Sequence, residues 1–224
     1  MSPTMPRQPE PEVMDLPEEA AAYAHADFAA VNQAFVDRLV ELAGDLDRPR
    51  CLELGVGPAD ITVRLLAARP AWHVTAVDAS PPMLGFARHA ISQAGLSKRI
   101  ELVHADAKST PLPARFFNVI FANSILHHID DTLRFWREVK RLGAPGACVF
   151  LRDLRRPVSV EAAHELVSRH ACQESELLRG EYLRSLLASY TPQEVRRQLT
   201  AAGLGQLRVE TITDRHMDIF GRLT

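Results

Sequence analysis

The sequence predicts an α/β protein with a doubly wound, mostly parallel seven-stranded sheet and helices on both faces. Two observations lead to this fold class. From residue 51 onward, strand-like apolar runs alternate with segments of helical periodicity, and such alternation builds parallel sheets joined by crossover helices. The strand-like runs are also nearly continuous in apolar residues, as expected of strands that are covered on both faces.

The properties of the whole chain indicate one domain with a small partner. A chain of 224 residues is long enough for one well-packed α/β domain and too short for two of ordinary size. Its formal net charge of −2 lacks the basic surplus of a nucleic-acid-binding domain. Because we find no apolar run of membrane-spanning or signal-peptide character, we expect a cytoplasmic protein without a membrane partner, either a monomer or a homodimer.

The N-terminal residues 1–19 are predicted to form an extended or disordered arm. Proline removes backbone donors and disfavours helix, and this segment contains five prolines: Pro3, Pro6, Pro9, Pro11 and Pro17. The folded domain then covers residues 20–224. Its first element is predicted to be an amphipathic helix that ends before Gly44, because apolar residues recur at helical spacing from Phe28 to Leu42.

Five strand-like runs follow this helix. In chain order they are CLEL, HVTAV, IELVH, NVIFA and ACVFL, with helical segments at about 61–68, 82–93 and 132–142. Two further strand-like runs, LGQLRVETIT and HMDIFGRL, flank Asp214-Arg215, which predicts a closing antiparallel hairpin. The sheet therefore has seven strands, and its C-terminal hairpin departs from the parallel arrangement.

Residues 158–190 interrupt the alternation of strands and helices. Their composition predicts one long helical stretch. A helix start follows directly, in which Thr191 can cap, Pro192 suits the first helical position and Glu194 completes a capping box. The sequence therefore predicts an inserted helical segment and then a separate, well-defined helix.

The three cysteines do not indicate a metal site. Cys51, Cys148 and Cys172 show no metal-ligand spacing and no even disulfide framework. Cys51 and Cys148 lie in apolar runs and are expected to be buried core thiols. Cys172 follows two histidines on a predicted helix, but this grouping is not a zinc signature.

Polar side chains stand at or just past the ends of four successive strands. They are Glu53, Asp78, Asp106 and Asn123. In an open α/β sheet the ligand binds outside the carboxyl ends of the strands, near the point where the strand order reverses. We therefore expect these four side chains to line one ligand site.

The loop after the first strand indicates the chemistry of that ligand. Gly55 and Gly57 have the spacing of a nucleotide-binding loop, in which glycine lets the backbone approach the ligand. Glu53, just before them, would repel a pyrophosphate. A ligand with adenosine at one end and positive charge at the other, such as S-adenosylmethionine, satisfies both features. Glu53 would then face its ammonium, Asp78 its ribose hydroxyls and Asp106 its adenine amino group.

Five motifs in order resemble those of class I S-adenosylmethionine-dependent methyltransferases, in particular the small-molecule group similar to the ubiquinone and menaquinone biosynthesis methyltransferases. The motifs are ELGVG, VDASPPML, HADAKSTPLP, FFNVIFANSILHHIDD and REVKRLGAPGACVFLRD. The resemblance covers about Cys51 to Asp153 and implies a Rossmann-like fold, S-adenosylmethionine as the cofactor and methyl transfer to a small molecule. The sequence departs from the family pattern at Ala59, where a third glycine is usual, and at Glu53, where Asp is usual.

The residues predicted to bind the cofactor belong to the first four of these motifs. They are Glu53, Gly55, Gly57, Asp78, Ala79, Met83, Asp106, Ala107, Asn123 and Ser124. Taken singly, each acidic residue has the alternative of capping a helix or facing water. Two other functions stay open at this point: an S-adenosylmethionine-binding regulatory or partner module without catalysis, and a Rossmann-type dehydrogenase.

The candidates for catalysis are His127, His128 and Asp153, which follow the fourth strand or end the fifth. Methyl transfer from a sulfonium chiefly requires that the acceptor be held in line, so no particular catalytic residue is obligatory. A histidine could take a proton from the acceptor. The alternative is that one histidine packs against the sheet and the other hydrogen-bonds the loop, while Asp130 and Asp131 cap the next helix.

The candidates for substrate binding come from three parts of the chain. They are Tyr23, Arg152, Tyr182 and Tyr190. In similar enzymes the segment after the fifth strand covers the active site, which implies that residues 158–190 form a lid or a substrate-pocket wall. The tyrosines have the alternative of simple packing, and Arg152 either binds a carboxylate or holds its loop through an ion pair.

Overall fold

The computed structural model describes residues 5–224, so the first four residues of the predicted arm, including Pro3, lie outside the described part. The strands are β1 (Arg50–Leu54), β2 (His73–Asp78), β3 (Ile100–His104), β4 (Phe117–Asn123), β5 (Gly143–Leu154), β6 (Arg208–Thr211) and β7 (His216–Arg222). They form a seven-stranded sheet in the order β3-β2-β1-β4-β5-β7-β6. β7 runs antiparallel to both of its neighbours and the remaining pairs are parallel, which confirms the predicted sheet with its C-terminal hairpin.

Eight α-helices accompany these strands in the described part of the chain. They are α1 (Pro17–His25), α2 (Ala29–Ala43), α3 (Asp60–Ala68), α4 (Pro81–Gln93), α5 (Thr132–Leu142), α6 (Val160–His170), α7 (Glu176–Ala188) and α8 (Pro192–Ala201). A short 3₁₀ turn, Leu126–His128, follows β4. Among residues 5–224, no helix has both the length and the apolar character needed to cross a membrane.

The start of the chain differs in part from the prediction. Helix α1 begins at Pro17, inside the segment that was expected to lack helix. Proline is compatible with this position because the N–H of a first helical residue has no acceptor within the helix. Residues 5–16 form neither helix nor strand, and we refer to them as the arm.

The segment 158–190 forms two helices, where one long stretch was predicted. The second, α7, has its own N-cap: the Ser175 hydroxyl accepts from Leu178 N at 3.3 Å. The two helices pack together in a small apolar cluster at the carboxyl end of β5. The next helix starts as predicted, with the reciprocal capping box between Thr191 and Glu194.

The sheet separates two apolar layers. On one face α2, α3 and α4 cover the strands, and Phe35 of α2 stacks on Phe150 of β5 with 4.6 Å between ring centroids. On the other face α5 and α8 pack around Trp136. Cys51 and Cys148 are buried in the first layer, as expected. Helices on both faces leave the strand ends as the region where polar side chains gather.

Phe35→Ala is expected to destabilise the fold by about 3–5 kcal/mol, because it empties the contact between α2 and the sheet. The free energy of unfolding is measured by urea titration followed by circular dichroism. Val31→Ala on the same helix is the matched control, since Val31 is 38% exposed and its truncation should cost no more than about 0.5 kcal/mol. Equal losses in the two variants would contradict this account of the core.

Candidate active site

A cavity of about 1060 Å³ lies at the carboxyl ends of the parallel strands, where β1 and β4 are neighbours. The strand order reverses between these two strands, so this is the switch point at which open α/β sheets bind ligands. Most of the predicted site residues line this cavity: Tyr23, Gly55, Gly57, Asp78, Ala79, Met83, Asp106, Ala107, Asn123, Ser124, His127, His128, Arg152 and Tyr182. Glu53, Asp153 and Tyr190 are not part of its wall.

The loop after β1 turns sharply through left-handed backbone conformations. The angle φ is +75° at Gly55, +50° at Gly57 and +70° at Ala59. A Cβ at Gly55 would lie 2.7 Å from Cδ1 of Ile125, so both the backbone and the available space require glycine there. By contrast, nothing lies within 4 Å of the Cβ position at Gly57, which leaves the backbone open to a ligand in the cavity.

Asp78 is held in place at the end of β2 by backbone donors. Gly57 N donates to its Oδ2 at 2.7 Å and Ser80 N donates to its Oδ1 at 2.9 Å. Burial raises the pKa of Asp78, while these amide donors oppose the shift. The carboxylate therefore has a fixed orientation at the cavity wall and lone pairs that can accept from hydroxyl groups.

Glu53 lies behind the glycine loop and is 1% exposed. Its Oε2 is hydrogen-bonded to the hydroxyl of Thr62 on α3. Together with Gly55 and Asn123, it lines a second, smaller cavity of about 360 Å³. Burial raises the pKa of Glu53 to about 8. Ionising such a carboxyl at neutral pH requires a nearby cation, which fits the ammonium of S-adenosylmethionine and does not fit a pyrophosphate.

The N-terminal arm closes the cavity beside Asp106. Lys108 N donates to Asp106 Oδ1 at 2.8 Å, and Lys108 Nζ lies 2.6 Å from Glu12 Oε2 and 3.2 Å from Asp106 Oδ1. The Ser80 hydroxyl donates to the carbonyl oxygen of Met14 at 2.7 Å. Glu12 and Met14 both line the cavity, so the arm forms part of its wall.

His127 is oriented by Asp153. The distance from His127 Nδ1 to Asp153 Oδ1 is 2.6 Å, and the carboxylate also accepts from Leu126 N at 2.6 Å and from Leu154 N at 2.7 Å. Because Asp153 accepts at Nδ1, the ring proton is assigned to that nitrogen and the lone pair to Nε2. Both side chains are buried, so water does not compete for this contact.

The pKa values of the two neighbouring histidines are shifted in opposite directions. Burial lowers the pKa of His127, but the charge and hydrogen bond of Asp153 outweigh burial, and the pKa is raised above its ordinary value. Burial, together with the charge of His127, lowers the pKa of His128 to about 3. His128 therefore stays neutral at physiological pH, and His127 is the member of the pair that takes up a proton.

The four predicted substrate residues have different surroundings. Tyr23 and Tyr182 line the cavity, and burial raises the pKa of each to about 12. Within residues 5–224, the buried hydroxyl of Tyr182 has no hydrogen-bond partner. Arg152 lines the cavity as well and forms a two-point ion pair with Asp218, its cross-strand neighbour on β7, at 2.6 and 2.8 Å. Tyr190 lies away from the cavity, and its hydroxyl donates to a backbone carbonyl at 2.7 Å.

Sequence reasoning missed how far the arm contributes to the site. Arg7 Nη1 lies 2.5 Å from Asp130 Oδ1 and its Nη2 donates to the carbonyl oxygen of His127 at 2.7 Å. Glu10 Oε1 lies 3.5 Å from His127 Nε2. Asp131 caps α5 as expected, whereas Asp130 pairs with the arm. The prolines indicated an extended segment, but no local signal shows where such a segment lies.

The chain is similar to known methyltransferases. Residues 52–151 match the family described as methyltransferase domain. The uncharacterized methyltransferase Rv0089 of Mycobacterium tuberculosis is 28% identical over 163 residues, which cover 73% of this chain and 80% of that protein. The ubiquinone/menaquinone biosynthesis C-methyltransferase UbiE of Vibrio vulnificus is 25% identical over 122 residues, 53% of this chain and 46% of UbiE. The crystal structure of a SAM-dependent methyltransferase from Aquifex aeolicus has the same fold, with a TM-score of 0.70 and 18% identity over 93% of this chain and 98% of that one.

A sulfonium nucleoside fits an open glycine loop at the switch point and buried acids whose ionisation a cation favours. Together with the matched methyltransferase domain, these features define an S-adenosylmethionine-dependent methyltransferase of class I. Residues 52–151 match the methyltransferase-domain family, and the chain uses S-adenosylmethionine as its cofactor, as the five sequence motifs predicted. It is therefore an enzyme, and the dehydrogenase alternative is set aside.

Glu53 is expected to lose its proton when S-adenosylmethionine binds. At pH 7 the carboxyl is mostly protonated because its pKa is about 8, and the ammonium of the cofactor favours the ionised form. Isothermal titration calorimetry at pH 7, in two buffers of different ionisation enthalpy, should detect the release of about one proton per binding event.

Glu53→Gln is the matched variant for this measurement. Glutamine preserves the shape and can still hydrogen-bond Thr62, but it has no proton to lose. Its binding enthalpy should therefore be nearly the same in both buffers. Equal proton release by the wild type and the variant would show that another group titrates.

Proposed function

We propose that this enzyme methylates a small organic acceptor that carries a protic group, and that the acceptor lies between the cofactor and helix α7. The cavity continues from the cofactor residues to Leu178, Tyr182 and Ser185 of α7. Its volume of about 1060 Å³ is at the upper end of the range for small-molecule sites, which supports a cofactor and a small acceptor side by side. The name of the relative UbiE refers to the biosynthesis of small molecules, which also favours this acceptor class.

The cofactor is proposed to lie along the strand ends. Asp78 accepts from the ribose hydroxyls, Asp106 and the amide of Ala107 meet the adenine, and Glu53 pairs with the ammonium. The remaining predicted residues form the surrounding wall: Gly55, Gly57, Ala79, Met83, Asn123 and Ser124. The position of each of these residues on one of the two cavities supports the assignment.

S-adenosylmethionine supplies an activated methyl group on a cationic sulfur. The enzyme must hold the acceptor in line with it, and His127 Nε2 takes the acceptor's proton as a general base. Asp153 keeps the ring in the tautomer that leaves Nε2 free, and it stabilises the imidazolium that forms. His128 stacks on His127, with 4.2 Å between ring centroids, and packs the base without competing for the proton.

Substrate contacts are proposed for the cavity-lining tyrosines. The hydroxyl of Tyr182 remains protonated at physiological pH, and within the described structure it has no hydrogen-bond partner. A polar atom of the bound acceptor can satisfy it. Tyr23 covers the cavity from α1, and the lid role of residues 158–190 rests on the position of Tyr182 in α7.

The observation that carries this proposal is the buried Asp153–His127 pair. A histidine that only packs against the sheet does not need a carboxylate partner, and burying that partner is costly. A base with a raised proton affinity at the cavity wall suits an acceptor that must lose a proton, from oxygen or from a group conjugated to the methylated atom.

The setting of the reaction is also part of the proposal. We propose a cytoplasmic enzyme, a monomer or a homodimer, that acts on a dissolved small molecule and not on nucleic acid. The net charge of −2 supports this, because nucleic-acid-binding domains usually carry a basic surplus.

Formation of S-adenosylhomocysteine tests the acceptor class. Purified enzyme and S-adenosylmethionine are incubated with separate small-molecule, protein and nucleic-acid fractions of a cell extract, and the product is measured by mass spectrometry. S-adenosylhomocysteine is expected with the small-molecule fraction. Product that forms only with one of the macromolecular fractions would contradict the proposal.

Asp78→Ala is expected to weaken S-adenosylmethionine binding by about 1–3 kcal/mol, the scale of leaving ribose hydroxyls without a partner. Calorimetric titration measures the affinity, and exposed Asp45→Ala, outside both cavities, is the control. An affinity of Asp78→Ala equal to that of the control would refute the ribose contact.

His127→Ala is expected to lower kcat by roughly 100-fold while cofactor affinity is retained. In the wild type, kcat/KM should fall as the pH drops below the pKa of His127, which lies above its ordinary value, because only the neutral imidazole accepts a proton. Asp153→Asn should also lower kcat by disturbing the tautomer. Near-normal turnover of His127→Ala would favour the packing role.

A further inference from the structure

The arm places a buried carboxylate beside the free ring nitrogen of His127. Glu10 Oε1 lies 3.5 Å from His127 Nε2 and 3.4 Å from His128 Nδ1. The Glu10 side chain is 5% exposed, and within residues 5–224 its Oε1 has no hydrogen-bond partner. An acceptor buried without a donor costs free energy, and burial raises the pKa of Glu10 while the charge of His127 opposes this shift, so a donor beside this atom would stabilise its ionised form.

The neighbouring side chains identify that donor. In the resting tautomer, the His127 proton is on Nδ1 and faces Asp153. His128 Nδ1 lies 3.2 Å from the carbonyl oxygen of Pro11, so its own hydrogen bond is directed to the backbone. A donor for Glu10 therefore arises when His127 takes up a second proton, on Nε2.

We propose that Glu10 is a positioning residue that strengthens His127 as a base, by accepting a hydrogen bond from Nε2–H once the acceptor's proton has been transferred. The inference rests on the proposed function of His127. An interaction that exists only after proton transfer lowers the barrier without stabilising the resting state. The imidazole of His127 thus lies between two carboxylates, Asp153 at Nδ1 and Glu10 of the arm at Nε2.

The proton and charge balance of this step is simple. The acceptor's bond to hydrogen breaks, a bond from hydrogen to His127 Nε2 forms, and the electron pair stays on the acceptor. That pair forms the new bond to the methyl group as the methyl–sulfur bond breaks, so the sulfonium charge disappears while an imidazolium charge appears. Glu10 pairs with this new charge, and the proton is released to solvent when the products leave.

The groups that face His127 favour its charged form. Asp153 from β5 and Glu10 from the arm attract the proton, while Arg7 from the arm opposes it. His128, adjacent in the turn, is neutral at physiological pH. Two carboxylates outweigh one guanidinium in this setting, which agrees with the raised pKa of His127.

A metal ion is the competing explanation for the same three side chains. One ligand atom each from Glu10, His127 and His128 falls within a group 4.8 Å across. The contact of His128 Nδ1 with the Pro11 carbonyl argues against coordination through Nδ1, because a nitrogen that donates a hydrogen bond has no lone pair for a metal, and dialysis against EDTA tests the metal explanation as a whole.

The test compares pH profiles of kcat/KM for the wild type, Glu10→Gln and Asp15→Asn, with the acceptor found from the extract. Removing the Glu10 charge should move the acid limb to lower pH by roughly one unit and lower the plateau kcat by about tenfold, with the KM for S-adenosylmethionine little changed. Asp15→Asn, on the same arm but exposed and outside both cavities, should keep the acid limb of the wild type. Glu10→Asp should restore part of the shift, which a merely structural role does not predict.

Four results would overturn the inference. The first is an unshifted acid limb in Glu10→Gln, and the second is an equal shift in Asp15→Asn. The third is misfolding of Glu10→Gln, seen by circular dichroism, while Glu10→Asp keeps the wild-type pH profile at a lower yield of folded enzyme. The fourth is wild-type activity that is lost on dialysis against EDTA and restored by Zn²⁺. Near-normal turnover of His127→Ala is a separate outcome, since it would reject the base itself and not the role of Glu10 beside it.

Discussion

The parallel pairing of β1 with β4 is the constraint on which the rest of the site depends. Cys51 lies opposite Val119 and Glu53 opposite Phe121, so the carboxyl ends of two strands from separate parts of the chain meet side by side. Their connections leave in different directions because the strand order reverses here, and a cleft opens between them. The glycine loop leaves from one side, and the turn that carries His127 leaves from the other.

The charges in this cleft favour a cationic nucleoside over a pyrophosphate. Asp78 is tied to backbone N–H groups, and Glu53 is held mostly protonated at neutral pH by burial. Each arrangement lets a buried acid persist before a ligand arrives. A pyrophosphate would add negative charge beside these acids, whereas an ammonium and a sulfonium would stabilise their ionised forms. The substitution of Glu for the usual Asp at position 53 retains this logic, because the group that matters is the carboxyl.

The sequence predicted what has local signals and missed what depends on distant contacts. Apolar runs, the glycine loop and the capping box at Thr191 are local, and each was found. Pro17 was misjudged because proline both disfavours helix interiors and suits helix starts. The ion-pair partner of Arg152 is Asp218, which lies opposite it on the neighbouring strand β7. No spacing rule in the sequence connects these two residues. The position of Glu10 could not be predicted for the same reason, because its spatial neighbours His127 and His128 are more than a hundred positions away in the sequence.

One segment contacts both the cavity and the surroundings of His127. Glu12 and Met14 line the cofactor cavity, while Arg7, on the same stretch of arm, donates to the carbonyl oxygen of His127. The arm lies outside the sheet and is held by side-chain and backbone contacts, including Gln8 N to the carbonyl oxygen of Leu187 at 3.1 Å. The wall of the cavity and the surroundings of His127 therefore share one continuous stretch of chain, residues 7–14.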